Sequence, residues 1–134
     1  LEEKQELIRL WLALAEEKLG VASELLALSR FDDVVSKAYY VMFYAAKAAL
    51  LAVDVDLRRH SSVVTHFGQH FVQTGYADRQ YSRILARAMQ AREASDYDPR
   101  TRASQENAEQ AVMEAKAFLE KAREILRSLG EKIE

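Results

Sequence analysis

The stretch "AREASDYDP" (residues 91–99) gathers three side chains that can act on an anion: Arg92, Asp96 and Tyr97. Wound as a helix at about 100° per residue, Arg92 falls inside the apolar arc of Ile84, Leu85, Ala88 and Met89, with Asp96 one turn further on the same side. Arg79, Arg83 and Arg87 recur one turn apart on a different face, where water suits them. A guanidinium on an apolar arc needs an anionic neighbour, because burying an isolated charge costs on the order of several kcal/mol. Two arrangements meet that need. Asp96 can close an i, i+4 ion pair that staples the helix to a neighbour. Alternatively, the guanidinium lines a cleft and takes a phosphate, with Asp96 and the Tyr97 hydroxyl fixing its orientation.

His60 is the second candidate. It follows Arg58 and Arg59 at a predicted helix start, where the positive end of the helix dipole lowers an imidazole pKa and favours a neutral base or ligand. A polar helix-start residue with no special role fits the same position. Arg58 and Arg59 open a basic middle: from residue 58 to 102 there are eight Arg, no Lys and four acids, about +4 in a chain whose net charge is −2. Arginine forks suit phosphate and carboxylate recognition, which makes Arg58 and Arg59 candidate phosphate ligands beside Arg92. Scattered, solvated arginines are the plainer reading.

The remaining chemistry is sparse. His66 and His70 have i, i+4 spacing compatible with a metal. The chain has no Cys, however, and residue 67 is Phe, so the HEXXH pattern is absent. An exposed pair of helix histidines is expected, with no metal site and no cofactor. Tyr39, Tyr40, Phe43 and Tyr44 can stack on bases, or form core and dimer contacts at helical spacing. No serine carries a nucleophile signature and no Gly-rich phosphate loop exists.

These residues need helices to hold them. Four Gly and one Pro against 49% hydrophobic residues point to a helical chain, and 134 residues suffice for one domain, 1–134, with a real core. The first helix is predicted over about 3–28, with Leu7, Leu10, Trp11, Leu14, Val21, Leu25 and Leu28 as its core stripe. Asp32 or Asp33 can cap a second helix through its backbone N–H groups. That helix is apolar around most of its circumference, so it must be buried on every side, partly by a second subunit. A shorter third helix ("HSSVVTHFGQHFVQT") buries Val63, Val64, Phe67 and Phe71 and closes at Gly75. A fourth runs from near Asp78 to "DYDP", where Pro99 disfavours helix in Asp98. The last begins at "TRAS" and closes at Gly130. The fold class is all-α: an antiparallel up-and-down helical bundle of four long helices plus one short one. No apolar run approaches the roughly 20 residues of a membrane span, and no targeting segment precedes the first helix, so a cytoplasmic location is expected.

The segments "SKAYYVMFYAAKAALLAV", "RRHSSVVTHFGQHFVQTG", "AREASDYDP" and "AVMEAKAFLEKAREIL" together resemble the HEPN domain family, closest to its small stand-alone prokaryotic members, over roughly residues 5–127. The resemblance implies a helical bundle that dimerises. It also implies a genetic partner, a minimal nucleotidyltransferase, in a toxin–antitoxin-like module. Many HEPN domains are metal-independent ribonucleases with an Arg followed, about four to six residues on, by a His at the dimer cleft. Carried over, the motif arginine is Arg92, and the position five residues on is Tyr97 instead of His. In the ribonuclease scheme His handles the proton of the ribose 2′-hydroxyl while Arg stabilises charge on the phosphate. Tyr97, or His60 across the cleft, would have to stand in for the motif His. The expected function is therefore binding of nucleotide or RNA phosphate at a cleft containing Arg92, Asp96 and Tyr97. The alternatives are an endoribonuclease toxin using Arg92 with Tyr97 or His60, and a purely structural dimerisation subunit.

Overall fold

The computed structural model describes residues 2–134, apart from the side chain of residue 61. It is helical throughout: α1 (Glu2–Ala27), α2 (Phe31–Ala52), a short α3 (Val63–Phe67), α4 (Arg79–Tyr97) and α5 (Gln105–Ser128). Ion pairs fix the helix directions. Lys4 at the start of α1 bonds Asp54 just past the end of α2 (3.1 Å), so these two helices are antiparallel. Asp32 at the start of α2 accepts the Ala103 N–H (2.7 Å) and an Arg102 N–H (3.1 Å) ahead of α5, so α2 and α5 run the same way. Arg9 near the start of α1 donates to the Lys132 carbonyl just past the end of α5 (3.0 Å), which sets α5 antiparallel to α1, and Glu16 pairs with Arg123 between them. The result is the expected up-down-up-down bundle, with α3 in the crossover from α2 to α4.

The helix ends follow local chemistry. Asp78 caps α4 by accepting the Gln80 N–H (3.0 Å), and α4 stops at Tyr97 with Asp98 extended (φ −134°, ψ 106°) before Pro99. Ser104 and Asn107 form a reciprocal capping box on α5. Gly75 and Gly130 take left-handed φ values of 89° and 82°, as expected of closing glycines. Asp32 and Asp33 do not cap α2, which begins earlier, with Arg30 at the cap position and no side-chain cap. Asp32 instead ties the α4–α5 connection to α2. The predicted third helix is not one regular helix: a 3-10 turn (His60–Ser62) precedes α3 and a π turn (Gly68–Val72) follows it. The segment still buries Val63, Phe67 and Phe71, and leaves Val64 half-buried.

Two expectations about burial are corrected. The inner face of α1 is Ile8, Leu12, Ala15 and Ala22; Leu7, Leu10 and Leu28 are 42%, 57% and 68% exposed. Of the predicted stripe, Trp11 and Leu25 are half-buried and pack against the core, and Leu14 and Val21 are half-buried, so the stripe borders the inner face instead of forming it. Nor does α2 need a second subunit for most of its circumference. Packing against α1, α5 and α4 buries twelve of its side chains, Val34 through Leu50. Only a narrow strip, including Tyr40, Tyr44, Lys47 and Leu51, stays half-buried.

Candidate functional site

Arg92 sits two turns past the residues that bury α4, Ile84 and Leu85, where the helix still faces α2. Its Nη1 donates to Asp96 Oδ2 at 2.9 Å, with 18% of the arginine side chain exposed against 47% of the aspartate. Beneath it lie two rings of α2. The guanidinium carbon is 5.1 Å from the Tyr39 ring centre and 5.7 Å from that of Tyr40, within cation–π range of both. Nε is buried and, among the described residues, has no hydrogen-bond partner. The stem is thus clamped while one carboxylate, itself half in water, takes one edge of the fork. Of the two arrangements foreseen for this arginine, the i, i+4 pair with Asp96 is made, and the fork still carries donors to spare.

His60 joins the same aromatic cluster from the segment before α3. Its ring stacks on Phe43 (centroids 4.0 Å apart, 15° between planes) and meets Tyr40 edge-on. Its Nδ1 is 2.9 Å from the Tyr39 hydroxyl. Burial holds the His60 pKa below its ordinary value, helped by the positive charges of Arg92 and Lys47. The direction matches the sequence expectation but the cause differs: desolvation and nearby cations, not a helix dipole. Burial also pushes the Tyr39 hydroxyl pKa far up. The Tyr39 hydroxyl and His60 Nδ1 share one hydrogen bond, whose donor follows the imidazole tautomer. Tyr39 therefore links His60 to Arg92, touching both. Sequence reading treated Tyr39 as a stacking or core residue and missed this bridging role, and it missed Lys47, whose Nζ donates to the Leu57 carbonyl (3.2 Å) and lies over the Trp11 ring (4.5 Å). The available signal was the spacing of Tyr40, Tyr44 and Lys47 along one strip of α2.

The other sequence candidates stand apart. Tyr97 is 85% exposed and, among the described residues, its hydroxyl bonds nothing. Arg58 and Arg59 are exposed, two and one residues ahead of His60, with no ion pair among the described residues. His66 and His70 stack at 6.0 Å and are half-buried, not exposed as expected; among the described residues no third ligand joins them. A cleft of about 360 Å3 opens on a different flank of α4, floored by Val35, Ala38, Met42 and Ala88. Two ion pairs rim it, Asp32–Arg102 and Arg87–Glu114. Arg92, Asp96, Tyr97 and His60 do not line it, so the seat of Arg92 is a shallow aromatic platform and not this cleft.

The HEPN domain family matches residues 8–125. The chain belongs to the HEPN domain family. It is 32% identical over 125 residues to the Methanocaldococcus jannaschii protein named "Putative toxin MJ0605", covering 93% of this chain and 92% of that one. It is 30% identical over 127 residues to a UPF0332 protein of Thermotoga maritima, covering 95% and 96%. A third relative, UPF0332 protein PH1297 of Pyrococcus horikoshii, is 46% identical over 72 residues, about half of each chain. The HEPN match takes in Tyr39, His60, Arg92 and Asp96, so the platform lies within the domain that the family defines. Among the described residues, no helix of this HEPN protein is long and apolar enough to cross a membrane.

Proposed function

We propose that this HEPN protein is the toxin-like member of a two-protein module, acts as a homodimer, and binds the phosphate of RNA or a nucleotide through Arg92. The observation that carries this is the clamped guanidinium: seated on Tyr39 and Tyr40, paired on one edge with Asp96, and still able to donate from the other. A half-buried fork loses little entropy on meeting a phosphate and gains charge-assisted hydrogen bonds there. His60 brings to the same cluster a second ring nitrogen, Nε2, beside the Nδ1 that Tyr39 engages. Arg58 and Arg59, close by in the chain, supply further positive charge for a backbone passing the site. Two relatives carry the word toxin in their names, which supports the toxin-like role, and a minimal nucleotidyltransferase is the partner that role calls for.

The same chemistry favours binding over cleavage. A general base toward a ribose 2′-hydroxyl must be free to reach it, and His60 has one ring nitrogen, Nδ1, engaged by the Tyr39 hydroxyl. Tyr97 is 85% exposed and no neighbour holds its hydroxyl among the described residues, so nothing positions it toward a ribose 2′-hydroxyl. The test pairs growth with chemistry. Expression of the wild type without its partner should slow growth, Arg92→Ala should relieve it, and purified protein should retain labelled RNA intact. RNA cut by the wild type but not by His60→Gln would replace this reading with the ribonuclease one. Growth arrest unchanged by Arg92→Ala would remove Arg92 from the site.

A further inference from the structure

Lys47 is the cation on the aromatic strip of α2 that the Arg92 site leaves unused. It lies seven residues past Tyr40 and is half-buried like it. Its Nζ donates to the Leu57 carbonyl (3.2 Å) and stands 4.5 Å from the Trp11 ring centre and 5.6 Å from that of Phe43. An ammonium has three N–H donors, so two remain. Among the described residues no carboxylate pairs with Lys47, whereas Lys4 on α1 and Lys121 on α5 each have one.

Arg92 and Lys47 are seated on different rings, the guanidinium over Tyr39 and Tyr40 and the ammonium over Trp11 and Phe43. His60 lies against one ring of each seat, 5.8 Å from Tyr40 and 4.0 Å from Phe43, and both cations help hold its pKa down. One strip thus holds two positive charges, and a single carboxylate, Asp96, bonds either of them. Like charges held this way repel, and a ligand with two separated negative groups relieves the repulsion. A mononucleotide monophosphate offers one such group. A strand offers a second phosphate beyond the sugar, and Tyr40 and Tyr44, with ring centres 5.8 Å apart, give half-buried aromatic surface on which a base can stack.

We infer that the site takes a single strand of RNA spanning at least two phosphates, one held by Arg92 and the next by Lys47, and not a mononucleotide. This footprint rests on the reading that Arg92 binds phosphate, and adds to it a second contact and a minimum ligand length.

The test compares hexauridylate with uridine monophosphate, both carrying the same fluorescein label, by anisotropy across a salt series. Lys47→Gln should weaken hexauridylate at least fivefold, lower its salt slope by about 0.7, and leave the mononucleotide within twofold. Lys47→Arg should restore the slope, and Arg92→Ala should weaken both ligands. Lys47→Met, whose stem also covers Trp11, repeats the charge loss where Lys47→Gln departs from the wild-type melting curve. Trp11 is the one tryptophan of the chain, so its emission reports on the Lys47 end without any substitution. Unlabelled hexauridylate should change that emission and unlabelled uridine monophosphate should not. Equal effects of Lys47→Gln on the two ligands, no effect on either, or a Trp11 emission blind to hexauridylate overturns the second contact; Arg92→Ala still weakening both ligands would then leave the Arg92 reading standing. Arg92→Ala without effect on either ligand overturns that reading and the footprint with it.

Discussion

α4 carries two arginine–carboxylate pairs little more than one turn apart, and they have little in common. Arg87 reaches Glu114 at 2.8 Å with 63% of its side chain in water, on the rim of the apolar cleft. Arg92 reaches Asp96 at 2.9 Å with 18% exposed, over two tyrosine rings and beside a neutral histidine. By distance the two are equivalent. What separates them is the ground beneath the guanidinium. Water screens the first pair, so it contributes little and orients nothing. Aromatic faces and α2 hold the second, so its geometry persists whether or not an anion is bound. The comparison also shows why cleft volume is a poor guide here: the cleft sits beside the arginine that lacks a platform.

The comparison can be broken from the platform side. Tyr39→Ala removes a fully buried ring that touches both Arg92 and His60, and should cost about 3–5 kcal/mol in denaturant unfolding. Arg92→Ala should cost about 1–2 kcal/mol through its lost cation–π seat. A cost for Arg92→Ala no larger than that for Arg87→Ala would erase the distinction. Tyr39→Phe keeps the ring and strips the hydroxyl from His60 Nδ1, for a loss of about 1 kcal/mol.

Acid should sharpen the same contrast. His60 titrates lower in the folded chain than in the unfolded one, so below its ordinary value of about 6.5 the unfolded state binds the extra proton. Stability should therefore fall as pH drops below that value, by at most about 1.4 kcal/mol per pH unit for one proton, and level off beneath the folded pKa. His60→Gln should flatten this slope in a pH series of thermal melts; an unchanged slope would assign the titration to another group. The smallest effect belongs to the exposed pair: Arg87→Ala should shift stability by less than about 0.5 kcal/mol.

Much of this was legible in the letters, for reasons that can be traced. The ends of α4 and α5 followed from Asp78, Pro99, Ser104 and Gly130, whose effects are local and reach only a turn. The position of Arg92 on the inward side of α4 followed from the phase of Ile84 and Leu85. Two apolar stripes shared α1, and periodicity alone does not say which of them meets α2. The Leu7 stripe keeps the three-four spacing of a core face, but the bundle centres on Ile8, Leu12, Ala15 and Ala22, which leaves Trp11, Leu14, Val21 and Leu25 half-buried at its border and Leu7 and Leu10 exposed. Asp32 resembled a cap because capping is local, yet it bonds a backbone group seventy-one residues away. The same long reach explains why His60, Tyr39 and Arg92 read as three separate residues: they come from three elements, and only packing brings them to one platform.

The direct test of the platform is the affinity of a fluorescein-labelled single-stranded RNA for the wild type, Arg92→Ala and Arg87→Ala, by anisotropy across a salt series. The expected result is a loss of at least tenfold for Arg92→Ala with a shallower salt dependence, and less than twofold for Arg87→Ala. Equal losses for the two arginines, or a wild-type affinity indifferent to salt, would contradict the account.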